Sequence, residues 1–216
     1  MKYKAVIFDL DGTLLDTIED LGTAVNYALE NHGLPLHGMD EYRMKVGHGI
    51  RNLVTVSLPA EMQEDEKMID SCLADFKAYY TSHIDVHTRP YPGMVDLVAR
   101  LNAEGVGIAV ASNKFQQGTE QLIAKFFPGI NFVAVLGNRE GAPLKPDPEI
   151  VGEVLRKAGC RPEEAVMVGD SQTDMKTAEN GGIRGIAVNW GYRPMAGLPG
   201  IEVAESPAAL WTLLNS

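Results

Sequence analysis

Residues 8–16 read Phe8-Asp9-Leu10-Asp11-Gly12-Thr13-Leu14-Leu15-Asp16, and they follow the apolar run Ala5-Val6-Ile7. A short, continuous apolar run of this kind suits a strand covered on both faces. This one ends in two carboxylates, Asp9 and Asp11, separated by one leucine and followed by glycine. Residues i and i+2 of a strand point the same way, so the two acids share a side. A buried strand that finishes in paired negative charge needs something at its end that takes that charge. Asp11-Gly12 by itself is equally a common turn, and the rest of the chain has to decide between the two readings.

Working outward, similar apolar runs recur at Val106–Ala111, Phe132–Leu136, Ala165–Val168 and Gly185–Val188, the first being Ala5–Leu10. Helical stripes lie between them. Met94, Leu97, Val98 and Leu101 form one, closed by Gly105. Ile150, Val151, Val154, Leu155 and Ala158 form another, with Asp147 placed to cap and Pro148 at the first helical position. Strands alternating with helices predict an α/β fold, a Rossmann-like parallel sheet covered on both faces. AESPAALWTLLNS predicts a last helix that docks Leu210, Trp211 and Leu214.

About ninety residues separate the first two strands, far more than one crossover needs. Ile18, Leu21, Val25 and Leu29 make one helical stripe there, and Ile69, Cys72, Phe76 and Tyr79 another. The expected organisation is a core of residues 1–16 plus 85–216 and an inserted all-helical domain of residues 17–84, with HIDVHTRPYPG as the return hinge.

Ligands of an open parallel sheet bind beyond the carboxyl ends of its strands, near the point where strand order reverses. The first strand ends in Asp9-Leu10-Asp11-Gly12-Thr13, the second in Ser112-Asn113-Lys114. The loop after the third carries Lys145-Pro146-Asp147, and the fourth ends in Gly169-Asp170-Ser171 with Asp174 beyond. Singly, each has a plain structural explanation: Ser112-Asn113 as a helix cap, Lys145-Pro146 as a solvated loop, Asp174 as an exposed helix residue. Their conjunction, four clusters at four strand ends, points to a site. Four aspartates in one cleft repel one another, and a hard divalent cation with all-oxygen ligands resolves this; Mg²⁺ suits such a set. Asp9 and Asp170 are expected to give carboxylate oxygens and Asp11 a backbone carbonyl. Ser112 and Lys145 offer a hydroxyl and a cation for phosphate oxygens, and the backbone N–H groups from Leu10 to Thr13, opened by Gly12, an anion-binding nest.

Composition narrows the function classes. The 216 residues carry 29 acidic side chains against 19 Lys plus Arg, a formal net charge of −10. That balance argues against binding nucleic acid or an anionic membrane. Cys72 and Cys160 stand far apart, in no metal-ligand spacing, and suit a reducing compartment. KAVIFDL is too short for a signal peptide and no apolar run spans a bilayer, so the expected location is cytoplasmic. His83 and His87, four apart, lack the intervening glutamate of a zinc helix and read as hinge residues.

The chain resembles the haloacid dehalogenase superfamily, in its phosphoglycolate-phosphatase-like branch with a helical cap inserted after the first strand. DLDGTLLDT matches the first motif, Ser112 in VASNK the second, Lys145 in KPDP the third, and Asp170 and Asp174 in VGDSQTD the fourth. The resemblance implies a phosphatase of small phosphorylated metabolites. Asp9 would be the nucleophile, forming an aspartyl-phosphate, and Asp11 the general acid and then base. Mg²⁺ would be held by Asp9, Asp11 and Asp170 with Asp174 behind them. Ser112, Asn113, Lys145, Thr13 and Gly12 would surround the phosphate. From the cap, the Gly47-His48-Gly49 loop and Arg51 are expected to read the rest of the substrate. An aspartate two residues after the nucleophile argues for C–O–P chemistry over dehalogenation. Two alternatives remain open: a phosphosugar mutase of the β-phosphoglucomutase type using the same residues, and a phospho-accepting receiver-like signalling domain. A monomer and a homodimer are both compatible with the sequence.

Overall fold

The computed structural model describes residues 2–197 and 199–216. The chain divides into two units, one of residues 1–16 with 90–216 and one of residues 17–89.

The first unit is built on β1 (Ala5–Phe8), β4 (Gly107–Phe115), β5 (Phe132–Asn138), β6 (Ala165–Gly169), β7 (Arg184–Val188) and β8 (Glu202–Ala204). They pair in the order β5-β4-β1-β6-β7-β8, every pair parallel. β1 is central and wholly buried, as its unbroken apolar sequence requires. The chain first builds outward from β1 through β4 and β5, then crosses back to β6 on the other side. Strand order therefore reverses around β1, and a crevice opens beyond its carboxyl end.

Helices α5 (Met94–Ala103), α6 (Gln116–Phe126), α7 (Glu149–Ala158), α8 (Gln172–Asn180) and α9 (Pro207–Asn215) complete this unit. Small side chains on alternate strand positions, Ala5, Ala109, Ala134 and Ala165, form one core face with Ile150, Val151 and Val154 of α7. Met94, Leu97, Val98 and Leu101 are all buried on α5. In α9, Leu210 and Leu214 are buried, whereas Trp211 is only half-buried and lies under the Arg100 guanidinium, 3.6 Å from the ring centroid. β8 escaped the sequence pattern because three residues, Glu-Val-Ala, carry no periodic signal. Pro148 is the cap of α7, one place later than expected, although the Asp147 carboxylate still accepts from the Glu149 N–H.

The second unit holds α1 (Ile18–Asn31), α2 (Met39–Lys45), α3 (Gly49–Thr55) and α4 (Glu66–His83). Ile18, Leu21, Val25 and Leu29 are buried on α1. On α4 the buried set is Ile69, Cys72, Phe76 and Tyr80; the expected Tyr79 is turned aside, stacked on Tyr27 and His83. Short strands β2 (Leu15–Asp16) and β3 (Arg89–Pro90) pair where the chain leaves and re-enters the sheet unit.

The helical unit runs to Arg89 and not to residue 84, and buried Asp20 on α1 supplies the reason. Its carboxylate accepts from the N–H groups of His87 and Thr88 and from the Thr88 hydroxyl, at 2.8–3.1 Å. That clamp ties residues 87 and 88 to the helices. His83 and His87 do not share a helix; His87 pairs with Glu19. Asp20→Ala leaves the buried Thr88 N–H without this acceptor and removes the tie to His87 N–H, and we expect a loss of about 2 kcal/mol in chemical denaturation. A change below about 1 kcal/mol would contradict the clamp.

Candidate active site

The chain folds back sharply after β1. The Leu10 carbonyl accepts from the N–H groups of Thr13, Leu14 and Leu15, and Gly12 N–H donates to Leu15. Leu10 N–H meanwhile donates to the Asp9 carboxylate at 2.7 Å. Of the N–H groups expected to form an anion nest, those of Gly12 and Thr13 close this turn and that of Leu10 serves the Asp9 carboxylate. The turn holds Asp9 at the strand tip with its Oδ1 fixed. Gly12 has a φ of +86°, and a Cβ there would lie 2.3 Å from Asp170 Oδ2. Only glycine satisfies both constraints.

Asp9, Asp170 and Asp174 bring one carboxylate oxygen each within 4.8 Å of the others. Lys145 Nζ sits among them, 2.8 Å from Asp9 Oδ1 and 2.7 Å from Asp174 Oδ1. Lys145 is buried and is no solvated loop residue. Asp174 is likewise no exposed helix residue. It is completely buried at the start of α8, where its Oδ2 accepts from the Ser171 hydroxyl at 2.6 Å and the Ser171 N–H at 3.1 Å. Ser171 in turn caps α8 by accepting from Asp174 N–H. Both Asp174 oxygens are thus occupied, and Gly169 makes room, because a Cβ there would lie 2.3 Å from the Asp174 side chain. Asp170 Oδ2 accepts from Tyr192 N–H at 2.8 Å, in the loop after β7.

Three buried carboxylates surround one ammonium. Burial raises the Asp9 carboxyl to about 8, with the Asp174 charge pushing the same way. Burial and Asp174 also raise Asp170, to about 7. Lys145 moves oppositely: burial alone would lower it, but the charges of Asp174 and Asp9 hold it above the ordinary lysine value. When its carboxyls are ionised the cluster carries surplus negative charge on hard oxygen donors, a set that fits a divalent cation of the magnesium type.

β4 brings the second strand end into place by a different device. From Ala111 to Phe115 it advances four residues while β5 advances two, from Leu136 to Asn138, so its register breaks across Ser112, Asn113 and Lys114. Such an irregularity re-aims side chains at a sheet rim. Ser112 is buried, and its hydroxyl accepts from Lys114 N–H at 3.2 Å; it caps no helix, since α6 begins at Gln116. Asn113 was expected to touch phosphate. Its amide instead clasps the Lys145 backbone from both sides, accepting from Lys145 N–H at 2.8 Å and donating to the Lys145 carbonyl at 3.2 Å. Lys114 Nζ reaches the Asp11 carboxylate at 3.1 and 3.4 Å.

The remaining expected residues are placed as follows. The Thr13 hydroxyl is wholly buried without a hydrogen-bond partner, while its N–H donates to the Leu10 carbonyl and its own carbonyl accepts from Trp190 Nε1. His48 and Arg51 lie in the helical unit. His48 precedes α3 without capping it by its side chain, and the Arg51 guanidinium is engaged by Glu66 and Asp70 of α4. Lys114 and Ser171 stand in the strand-end clusters of the sequence without a role of their own, and the Trp190-Gly191-Tyr192 loop is missing from that reading altogether. Ser171 was legible as the capping pattern Ser-x-x-Asp in SQTD. The loop was legible only as the end of one more strand on the same rim.

The haloacid dehalogenase-like hydrolase family matches residues 6–188. The chain belongs to that family. It is 37% identical over 193 residues to a phosphoglycolate phosphatase of Mesorhizobium japonicum, covering 89% of this chain and 85% of the relative. It is 36% identical to phosphoglycolate phosphatase 1 of Pseudomonas aeruginosa, over 89% of this chain and 73% of that one. A crystal structure from Lactobacillus delbrueckii subsp. bulgaricus, named as a candidate phosphoglycolate phosphatase, superposes with a TM-score of 0.90 at 33% identity and 99% coverage of both chains. Family and relatives together make the chain a phosphomonoester hydrolase. Among the described residues no helix is long and apolar enough to cross a membrane.

Asp9 and Asp170 hold protons in the folded chain at pH values where the unfolded chain has released them. Folding then takes up protons, and this contribution to stability falls as pH rises from about 4 towards 8. In protein stripped of metal by a chelator, we expect Asp170→Asn, which keeps an acceptor for Tyr192 N–H, to raise the unfolding temperature at pH 8 and to flatten its fall between pH 5 and 8. A variant less stable than wild type at pH 8 would contradict the surplus-charge account.

Proposed function

We propose that the protein is a Mg²⁺-dependent phosphatase that hydrolyses a small anionic phosphomonoester of the phosphoglycolate type through a phosphorylated Asp9. The observation that carries this reading is the meeting of Asp9, Asp170 and Asp174 around Lys145 at the carboxyl end of the central strand. The names of the relatives support the substrate class. Two free cysteines, one buried and one half-buried, suit a cytoplasmic setting.

Asp9 Oδ1 is held by Leu10 N–H and Lys145, so Oδ2 is the oxygen assigned to attack. In the first step it bonds to phosphorus, the ester P–O bond breaks, and the departing alkoxide takes a proton from the Asp11 carboxyl. In the second, water bonds to phosphorus and gives a proton to Asp11, while the Asp9–phosphorus bond breaks and returns its electron pair to the Asp9 carboxylate. The sum is ester plus water to alcohol plus phosphate, with both aspartates restored. Lys145 steadies a phosphate oxygen and Ser112 is placed to donate to another. Asp9 and Asp170, with the Asp11 carbonyl, would hold the divalent ion; Asp174, both oxygens engaged, would orient the site from behind. The bound ion would supply positive charge against the repulsion between an anionic nucleophile and a dianionic phosphate.

Release of inorganic phosphate from a panel of phosphomonoesters that includes phosphoglycolate tests this reading. Turnover is expected to require Mg²⁺, to fall at least about 1,000-fold in Asp9→Asn, and to fall about 100-fold or more in Asp11→Asn. No release from any ester, with turnover appearing only as phosphate exchange between sugar positions in the presence of a bisphosphate, would establish the mutase instead. A long-lived phosphoprotein with no release would establish the receiver-like reading.

A further inference from the structure

Lys114 belongs to none of the roles above. Its side chain is almost inaccessible, 1% exposed, and it ends in an ammonium 3.1 and 3.4 Å from the two oxygens of Asp11. A buried cation is costly unless it is matched by a nearby anion and fixed in position. Here the backbone does the fixing. Lys114 N–H donates to the Ser112 hydroxyl, and the Lys114 carbonyl accepts from the Thr119 hydroxyl at 3.4 Å. A Cβ at Gly137 on neighbouring β5 would lie 2.6 Å from that carbonyl, so the two backbones are pressed together at this place. The register break of β4 falls on these residues and directs the lysine towards the turn after β1. The result is a strut from β4 to the carboxylate of Asp11 on the short turn of residues 10–13.

We infer that Lys114 is the positioning residue for Asp11: it holds that carboxylate in the orientation from which protons are exchanged with the leaving group and with water. The inference rests on the assignment of Asp11 as acid and base. It extends that assignment by naming the group that fixes its geometry. A carboxylate on a turn has two side-chain torsions to restrain, and a displacement of about 1 Å in a reacting group can cost up to about 100-fold in rate. Lys145 cannot serve this purpose, because its ammonium is already shared by Asp9 and Asp174.

Lys114→Met and Lys114→Gln, each alone and combined with Asp11→Asn, test the inference on an alkyl phosphate and on p-nitrophenyl phosphate. The aryl ester keeps residual turnover measurable in the Asp11→Asn background. With Asp11 intact, Lys114→Met is expected to lower kcat by about 10- to 100-fold with KM changed less than about threefold. Lys114→Gln, which retains a donor, should lose less. With Asp11 already replaced, either change should cost less than about twofold, because a residue acting through Asp11 has nothing left to act on. Equal losses in both backgrounds would overturn the inference and assign Lys114 a general structural role. No loss in either background would overturn it too. Should Lys114→Met fail to fold, Lys114→Gln carries the same comparison. Wild-type turnover in Asp11→Asn would instead refute the acid–base assignment, and that outcome is read separately from the Lys114 effect.

Discussion

The ammonium of Lys145, packed between Asp9 and Asp174 at 2.8 and 2.7 Å, is the constraint around which this site is built. Asp170 adds a third carboxylate, so with all three ionised the cluster carries more negative charge than Lys145 offsets. Two like charges about 4 Å apart repel by about 4 kcal/mol at an effective dielectric near 20, comparable to much of a domain's net stability. Such a cluster survives folding only if each member is held by groups that would be worse off elsewhere. The structure provides them in matched pairs. Asn113 clasps the Lys145 backbone, Ser171 fills the far side of Asp174, and Tyr192 N–H fixes Asp170. Glycines 12, 169 and 191 leave the space that the carboxylates occupy, each being a position where a Cβ would overlap an aspartate side chain.

Topology explains why these groups can meet. A parallel sheet sends every strand's carboxyl end to one rim, and the reversal of strand order around β1 opens that rim just where Asp9 stands. The small core residues Ala5, Ala109, Ala134 and Ala165 share one buried cluster with Ile7, Leu136 and Met167 of the sheet and with Ile150, Val151 and Val154 of α7, which covers that face. The irregular stretch of β4 adds what a regular strand could not. Regular alternation would send Ser112 and Lys114 to one face and Asn113 to the other. The break in register lets Asn113 reach Lys145 while Lys114 reaches Asp11.

The sheet and the rim were legible in the sequence because both rest on patterns of a few adjacent residues. The long apolar strands announced themselves, and three of the four polar clusters followed one directly, Lys145 lying farther on in the loop after β5. What stayed hidden depends on contacts between distant residues. Asp20 looks like an ordinary first-turn acid, and only the return of the chain at Thr88 shows it buried and clamped. Asn113 reads as a phosphate donor until Lys145, 32 residues away, is seen to occupy both ends of its amide. Tyr79 and Tyr80 are equally compatible with the helical stripe, one residue apart. Aromatic stacking with Tyr27 and His83 decides which one turns outward. At residues 10–13 the turn that aims Asp9 uses the N–H groups of Gly12 and Thr13, and the Asp9 carboxylate uses that of Leu10, three of the groups an anion nest would draw on.

Arg51 shows how the same rules apply outside the sheet. Its guanidinium is flanked by Glu66 and Asp70, so the group of three carries a net negative charge. All three side chains are well exposed, and exposed ion pairs contribute only about 0–1 kcal/mol each. The two carboxylates therefore orient the arginine without committing it. Buried Lys145 and Lys114 stand at the other extreme, since each is desolvated and so cannot lose its carboxylate partner without leaving a charge stranded. The chain thus keeps its desolvated cations fixed at the sheet rim, while the solvated Arg51 on α3 is held only by exposed partners.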